Sequence, residues 1–296
     1  ELLNKLSISY NAYLRALGDF DFACQQLLNL KTKFSTYLDE KLLWVKSSEA
    51  INTNFFPGLY HSVQWLLSPF NWMKTIDDGI KLVARNFFLS FVVLLCFALL
   101  LLAKKHAKQK IRLFSEKVEK IYTDNFNYTI LEIAYTLMLV LPLPLFIHYV
   151  GKFLSNQSQI NAFTKAVGDG LLAVSVPMFF LQLFYRLFSP QGIAHKHFQW
   201  PLENTELIRK QVAWLRFIVI GGIFVINSTA ASKVSEYSDA LGRLALIIIT
   251  VAMAVVLSRL FHPARGVLKN YYQQNPANWL SSMRYVWYTA AFLAPL

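Results

Sequence analysis

The sequence predicts an all-α protein, a polytopic transmembrane helical bundle of five full spans plus the start of a sixth, preceded by a periplasmic, coiled-coil-like helical segment. Three observations carry that prediction. Only 16% of the 296 residues are charged and 55% are hydrophobic, against roughly 25% charged in soluble domains. Uncharged stretches recur at lengths that cross a bilayer. Lys and Arg gather in alternate loops, as they do on the cytoplasmic side of membrane segments. With Gly 11, Pro 10 and Cys 2, collagen-like, low-complexity and disulfide-rich classes are excluded. Cys24 and Cys96 are expected to stay unpaired.

Residues 1–80 read as a periplasmic helix and a connector to the membrane. Tyr10, Tyr13, Leu17, Phe20, Cys24, Leu27, Phe34 and Leu38 fall on heptad a and d positions, with Lys31 the one break, so the helix presents an apolar stripe to a partner. Asn52–Pro57, Ser68-Pro69 and Asp77-Asp78-Gly79 read as turns, and Trp65 and Trp72 suit a membrane interface.

Residues 81–296 read as the transmembrane domain, with spans at about 86–103, 129–150, 170–188, 212–231, 241–261 and a truncated sixth at 285–296. Lys104, Lys105, Lys108, Lys110, Arg112, Lys117 and Lys120 follow the first span, three cations follow the third and three the fifth. Lys152, Lys165 and Lys233 alone follow the second and fourth. Thirteen against three makes the first set of loops cytoplasmic and the N-terminal segment periplasmic. The run 104–121 also carries Ile111, Phe114, Val118 and Ile121 at helical spacing, which reads as an amphipathic helix along anionic headgroups rather than a nucleic-acid site.

An internal repeat links spans three and five. Gly168-Asp169-Gly170-Leu171 and Leu241-Gly242-Arg243-Leu244 open them, and Arg186 to Gly192 and Arg259 to Gly266 close them, at an offset of 73 to 74 residues. Each copy reads as an out-and-back hairpin. Lys104, Lys105, Arg186 and Arg259 are expected to anchor in lipid headgroups, and Pro142, Pro144, Gly221 and Gly222, with Pro177, mark points where helices bend or pack closely.

Chemistry is sparse. His195 and His197 form an H-x-H pair without a third ligand beside it, and both read as solvated loop residues rather than a metal site. Glu203 and Glu206 read as acids at a helix start. Glu132 stands at the start of span two, and only Asn227, Gln182 and His148 approach mid-depth. No Walker loop, G-x-S-x-G, H-E-x-x-H or glycine-rich dinucleotide turn occurs. No enzyme, cofactor or metal is expected. Membrane lipids are the expected partners.

Three separated stretches resemble one family. Tyr37-Leu38-Asp39-Glu40-Lys41-Leu42-Leu43-Trp44-Val45 resembles an "LDERLLWV" signature. Gly192-Ile193-Ala194-His195-Lys196-His197-Phe198-Gln199-Trp200-Pro201 resembles "GVAxxHFxWP". Trp279-Leu280-Ser281-Ser282-Met283-Arg284-Tyr285-Val286-Trp287-Tyr288 resembles "WLxRLRYLWYP". Lys41 for Arg and Thr289 for Pro are the departures. These are similar to the large multi-helix members of the small-conductance mechanosensitive channel superfamily, and most of all to the potassium-efflux-associated MscK/KefA type. The resemblance implies a heptameric channel of the bacterial inner membrane that releases ions and osmolytes on hypoosmotic shock. This chain is then expected to be a fragment lacking the pore helix and cytoplasmic vestibule. The alternative is a transporter-like or lipid-interacting membrane module of another complex.

The charge asymmetry is tested by labelling. Cys introduced at Asn156 or Ser235 is expected to react from the periplasm, and Cys at Lys108 or Gln191 only after permeabilisation. Reaction of Lys108→Cys in intact spheroplasts would reverse the orientation.

Overall fold

The structure, a computed structural model, describes residues 2–42, 55–118, 126–156 and 160–295. Residues 43–45 of the first motif, much of the predicted 52–57 turn, Lys120 and Leu296 lie outside the described residues, as do the side chains of Arg112 and Lys117. Among the described residues all regular structure is helical, as the sequence predicts. The chain forms two compact units, Glu1–Asn52 and Thr53–Leu296.

The first unit is a single helix, α1 (Leu2–Leu42), about 60 Å long at 1.5 Å per residue. Its stripe residues Tyr10, Tyr13, Leu17, Phe20, Leu27 and Phe34 are all exposed.

The second unit opens with two helices, α2 (Phe55–Leu67) and α3 (Pro69–Arg85), separated at Ser68 because Pro69 supplies no N–H to continue α2. The helix α4 (Phe87–Val118) follows. Its candidate membrane span runs to Ile111, and the basic segment after Ala103 continues the same helix instead of forming a separate one. No Gly or Pro occurs between Ala103 and Val118 to end it. The next span is broken: α5 (Phe126–Val140) and α6 (Pro142–Ser155) meet at a bend of 42°. Pro142 and Pro144 lack the N–H groups that would bond the carbonyls of Met138 and Val140, which accounts for the break there.

The helix α7 (Ala162–Leu187) runs unbroken through Pro177, and a one-turn helix α8 (Ile193–Lys196) leads into α9 (Leu202–Ala231), which is continuous through Gly221-Gly222. The short α10 (Ser235–Tyr237), a π turn over Ser238–Gly242 and α11 (Arg243–Leu260) complete the return. The segments α12 (Lys269–Gln274), α13 (Trp279–Ser282) and α14 (Arg284–Leu293) follow. Among the described residues four helices are long and apolar enough to cross a membrane, and the bent pair makes five.

The hairpins are held by glycine. A Cβ on Gly168 of α7 would lie 2.7 Å from the Ser155 backbone nitrogen, and one on Gly151 of α6 2.7 Å from that of Leu172, so only glycine lets these backbones approach. Gly242 occupies the matching place in the second copy, where a Cβ would meet Thr229 Oγ1 of α9 at 2.9 Å. The repeat's closing turns also agree: Gly192 N bonds Ser189 O (2.8 Å) and Gly266 N bonds His262 O (2.7 Å). A Cβ on either would press into the carbonyls ending the preceding helix, at Leu187 and Leu260. No described glycine has positive φ. Close approach, not left-handed backbone, is what these positions require.

Two apolar clusters fill the unit. One joins Leu82, Leu154, Phe163 and Val167, with Trp65 against it; the other joins Leu215, Val219, Ala252 and Val256 of α9 and α11. Phe163 is gripped edge-on by Trp65 (4.9 Å) and Trp72 (5.5 Å). Thr164 Oγ1 donates to Asp78 Oδ2 at 2.7 Å, and Ser155 donates to Asp169, so the polar groups at this end of α7 are met within the fold.

Two glycines give opposite expectations. Gly168→Ala forces the α6 and α7 backbones apart and is expected to destabilise by roughly 1–3 kcal/mol. A Cβ on Gly221 would meet nothing within 4 Å, so Gly221→Ala is expected to stabilise α9 by up to about 1 kcal/mol. Thermal unfolding in detergent reads both.

Candidate functional site: a polar rim at the basic end of the spans

The ends of α4, α7 and α11 and the starts of α5 and α9 share one end of the unit, tied by contacts between side chains that the loops bring together. Polar groups there meet low-dielectric surroundings, so each needs a partner or an outlet to headgroups and water.

Glu132 of α5 is the most constrained. Its side chain has 0% exposure and that of His197, at the end of α8, has 4%. His197 Nε2 and Glu132 Oε2 are 2.5 Å apart, and His197 Nδ1 shares a 2.8 Å hydrogen bond with Thr129 Oγ1. Both ring nitrogens of His197 are therefore engaged, one on the carboxylate and one on the hydroxyl. Glu132 Oε1 has no partner among the described residues, so the carboxylate is held from one side only. The reading of His197 as a solvated loop residue is therefore corrected: 65 residues apart in sequence, His197 and Glu132 pin the loop after α7 onto α5. His195 fits its reading better. It is half-exposed, and its Nδ1 lies 2.8 Å from Trp200 O, which shapes the loop.

The rest of the motif has structural reasons too. Gln199 takes the left-handed conformation (φ 52°), Trp200 leans on Phe188 with ring centroids 5.6 Å apart, and Pro201 stands immediately before α9. The motif "GVAxxHFxWP" already separated the two histidines, since His197 occupies its fixed H and His195 a variable position. That signal was available in the sequence.

The expected anchors fall on the same rim. Lys105, Arg186 and Arg259 are exposed and Lys104 is half-buried. Lys104 of α4 and Arg186 of α7 lie near each other as like charges on this rim. Arg259 reaches Gln211 Oε1 at 3.5 Å, and the same oxygen accepts from Trp214 Nε1 at 3.0 Å. Pro142, Pro144, Gly221 and Gly222 lie elsewhere, within the spans. Gly222 is a contact point, because a Cβ there would come 2.5 Å from Ile249 Cδ1 of α11. Of the mid-depth polar residues, His148 Nδ1 pairs with Ser175 Oγ at 3.1 Å, and Asn227 bonds its own helix at Ile223 O. Among the described residues no three His, Cys, Asp or Glu side chains group as a metal site. Outside the spans, the hydrogen bond and charge of Asp77 hold the exposed Lys81 above its ordinary value, and burial pushes the Tyr272 phenol up.

Comparison with known proteins decides the family. The family described as "Mechanosensitive ion channel inner membrane domain 1" matches residues 87–296, which takes in every span and the whole rim. The chain belongs to this MscS channel family. As a family member, it is a multi-pass membrane protein of an ion-channel family. It is 28% identical over 141 residues to the "Miniconductance mechanosensitive channel MscM" of Escherichia coli (strain K12), covering 47% of this chain and 13% of that protein. It is 22% identical over 294 residues to an "Uncharacterized MscS family protein" of Haemophilus influenzae, covering 95% of this chain and 25% of that protein. The chain thus spans about a quarter or less of these relatives. No solved structure matches significantly.

The Glu132–His197 pair makes a sharp prediction. His197→Ala strands a buried carboxylate and is expected to destabilise by roughly 3–5 kcal/mol. Adding Glu132→Leu removes the stranded group and is expected to restore most of that loss. Denaturant unfolding of both variants in detergent measures it; two independent, additive losses would show that the residues are not coupled.

Proposed function

We propose that this chain is the tension-sensing transmembrane region of a bacterial mechanosensitive channel that releases ions and osmolytes on hypoosmotic shock. The family match over residues 87–296 carries the reading, and the distribution of charge supports it. The cations gather at one rim while large apolar side chains such as Phe180, Phe184, Leu246 and Val251 face outward along the spans. In a bilayer those side chains meet acyl chains and the rim meets headgroups. In this reading the chain is not an enzyme, and the basic rim faces the cytoplasm across the inner membrane. Residues 1–80 are the periplasmic segment and residues 81–296 the transmembrane domain. The three motif stretches support the MscK/KefA type with its potassium efflux, α1 supplies a periplasmic coiled-coil strand, and the channel assembles as a homo-oligomer, a heptamer by resemblance. Ions pass through a pore built by other residues.

A channel answers tension only if its open and closed states interact differently with the bilayer. Moving the equilibrium from 1:99 to 99:1 takes roughly 5.5 kcal/mol. Hairpins α6–α7 and α9–α11, packed on each other through α7 and α9, present lipid-facing surfaces over which that difference is spread. Lys104, Lys105, Arg186 and Arg259 carry headgroup movement into them, and Pro142, Pro144, Gly221 and Gly222 absorb bending.

One feature favours the alternative of a lipid-interacting module. A groove of about 420 Å³ between α3, α4 and α6 is lined by Ile76, Ile80, Val83, Leu94, Phe146 and Phe153 among others. Its lining suits an acyl chain and offers little to a polar solute, so it weighs for lipid contact and against a transporter's substrate site.

In the full-length channel, Arg186→Leu with Arg259→Leu is expected to shift the tension threshold in patch clamp and to leave single-channel conductance unchanged. Changed conductance at an unchanged threshold would place these helices along the permeation path instead.

A further inference from the structure

The rim holds a second cationic arrangement, apart from the four expected anchors. Arg209 and Arg216 stand seven residues apart on α9, hence on one stripe and separated by about 10 Å along the axis. The ring of Tyr185 from α7 lies between them. The Arg209 guanidinium carbon is 4.8 Å from the ring centroid and that of Arg216 is 4.6 Å from it. Arg209 Nη2 donates to Tyr185 Oη at 3.1 Å.

Two guanidinium groups thus converge on one phenol, and no described carboxylate pairs with either. The ion pairs among the described residues, Lys81–Asp77, His197–Glu132 and Arg243–Asp239, lie elsewhere. Glu203 and Glu206, the acids nearest along α9, pair with neither arginine. The Nε atoms of both Arg209 and Arg216 are buried without a hydrogen-bond partner among the described residues. Arginine carries five N–H donors in a planar fork; among the described residues Arg209 uses one on Tyr185, and Arg216 makes cation–π contacts, to Tyr185 and to Phe217 at 4.8 Å. Tyr185, which accepts from Arg209, keeps its own O–H free to donate. Two unneutralised cations and a directed hydroxyl at the edge of hydrocarbon call for an anion with several acceptor oxygens, and phosphate is the matching chemistry.

The neighbourhood selects the form of that phosphate. Phe217, directly beside Arg216 and under its guanidinium, is 68% exposed. A free phosphate leaves this ring bare. A phospholipid whose phosphate sits on the arginines lays its acyl chains over it, and the two-turn spacing of the arginines follows the axis along which a lipid lies. We infer that Arg209, Tyr185 and Arg216 form a binding site for the phosphate headgroup of an anionic phospholipid in the leaflet at the basic rim. The site is distinct from the expected anchors: it lies between α7 and α9 and recognises one headgroup with three side chains. It holds whether or not the chain senses tension.

The test is native mass spectrometry of the full chain in detergent, titrated with phosphatidylglycerol or with phosphatidylcholine of identical acyl chains. Wild type is expected to favour phosphatidylglycerol by roughly tenfold, the scale of a charge-assisted fork contact. R209Q/R216Q is expected to bring that ratio near one while leaving phosphatidylcholine binding unchanged. Should the double variant fail to fold, Arg216→Lys replaces it, and is expected to lower the ratio severalfold because an ammonium lacks the planar fork. Inorganic phosphate at the same concentration is expected not to displace phosphatidylglycerol. Equal affinity for the two lipids, or a preference unchanged in the variant that folds, would overturn the site. Displacement by inorganic phosphate would make it a phosphate site and overturn the lipid assignment.

Discussion

A carboxylate with no exposed surface, at the mouth of a membrane span, is the constraint on which the basic end of this molecule depends. Glu132 is tolerated there because His197 meets it at 2.5 Å and Thr129 orients the imidazole from its other nitrogen. To deliver that histidine the chain must turn sharply after α7. Gly192 allows the turn by packing against the carbonyls that end α7, and Gln199 in a left-handed conformation releases the chain into α9. The start of α9, and with it the positions of Arg209, Gln211 and Arg216, follows from where the loop is fastened. Isolated charges inside a low-dielectric medium are costly, so the pair also gives the loop one position rather than many.

The same end shows how unevenly a sequence reports a membrane protein. Hydropathy marks the spans plainly, because each must present hydrocarbon to lipid along its length; the sequence reads as five full spans and the start of a sixth, and among the described residues four helices, or five with the bent pair, are long and apolar enough to cross. Helix ends were legible at Pro69 and at Pro142, whereas Asp77-Asp78-Gly79, which reads as a turn, lies inside α3 because acids and one glycine do not remove the helix's hydrogen bonds. Where no such signal exists the reading erred in continuity: the basic stretch after Ala103 has nothing to end a helix, and α4 runs on through it. What composition and periodicity do not encode is which helix lies beside which. Glu132 and His197 are 65 positions apart and Tyr185 and Arg209 are 24, and nothing local to any of them names its partner. Lys104 and Arg186 both stand out in the sequence, yet only the structure brings them together.

The internal repeat gains substance from contacts rather than from letters. In each copy a glycine at the opening of the returning span packs on the preceding helix, Gly168 on Ser155 and Gly242 on Thr229. In each copy a second glycine tucks beneath the carbonyls at the span's end, and an arginine stands shortly before it. The copies differ where the first hairpin is broken and the second is not. Continuous α9 packs on α11 along an apolar seam of Leu215, Val219, Ala252 and Val256, whereas the partner of α7 arrives in two pieces.

That broken partner has a mechanical meaning. A continuous helix resists flexure through its ladder of axial bonds, and at Pro142 and Pro144 two rungs of that ladder are missing within three residues. The amides on either side keep theirs, Leu141 to Leu137 and Leu145 to Leu141, so the weakness is confined to a point and does not spread along the helix. Below it, α5 is riveted to the loop by a buried acid and base; above it, α6 is clamped to α7 through Gly151 and Gly168. The 42° bend therefore stands between two separately fastened pieces, one held at the basic rim by Glu132 and His197 and the other held against α7 by two glycines.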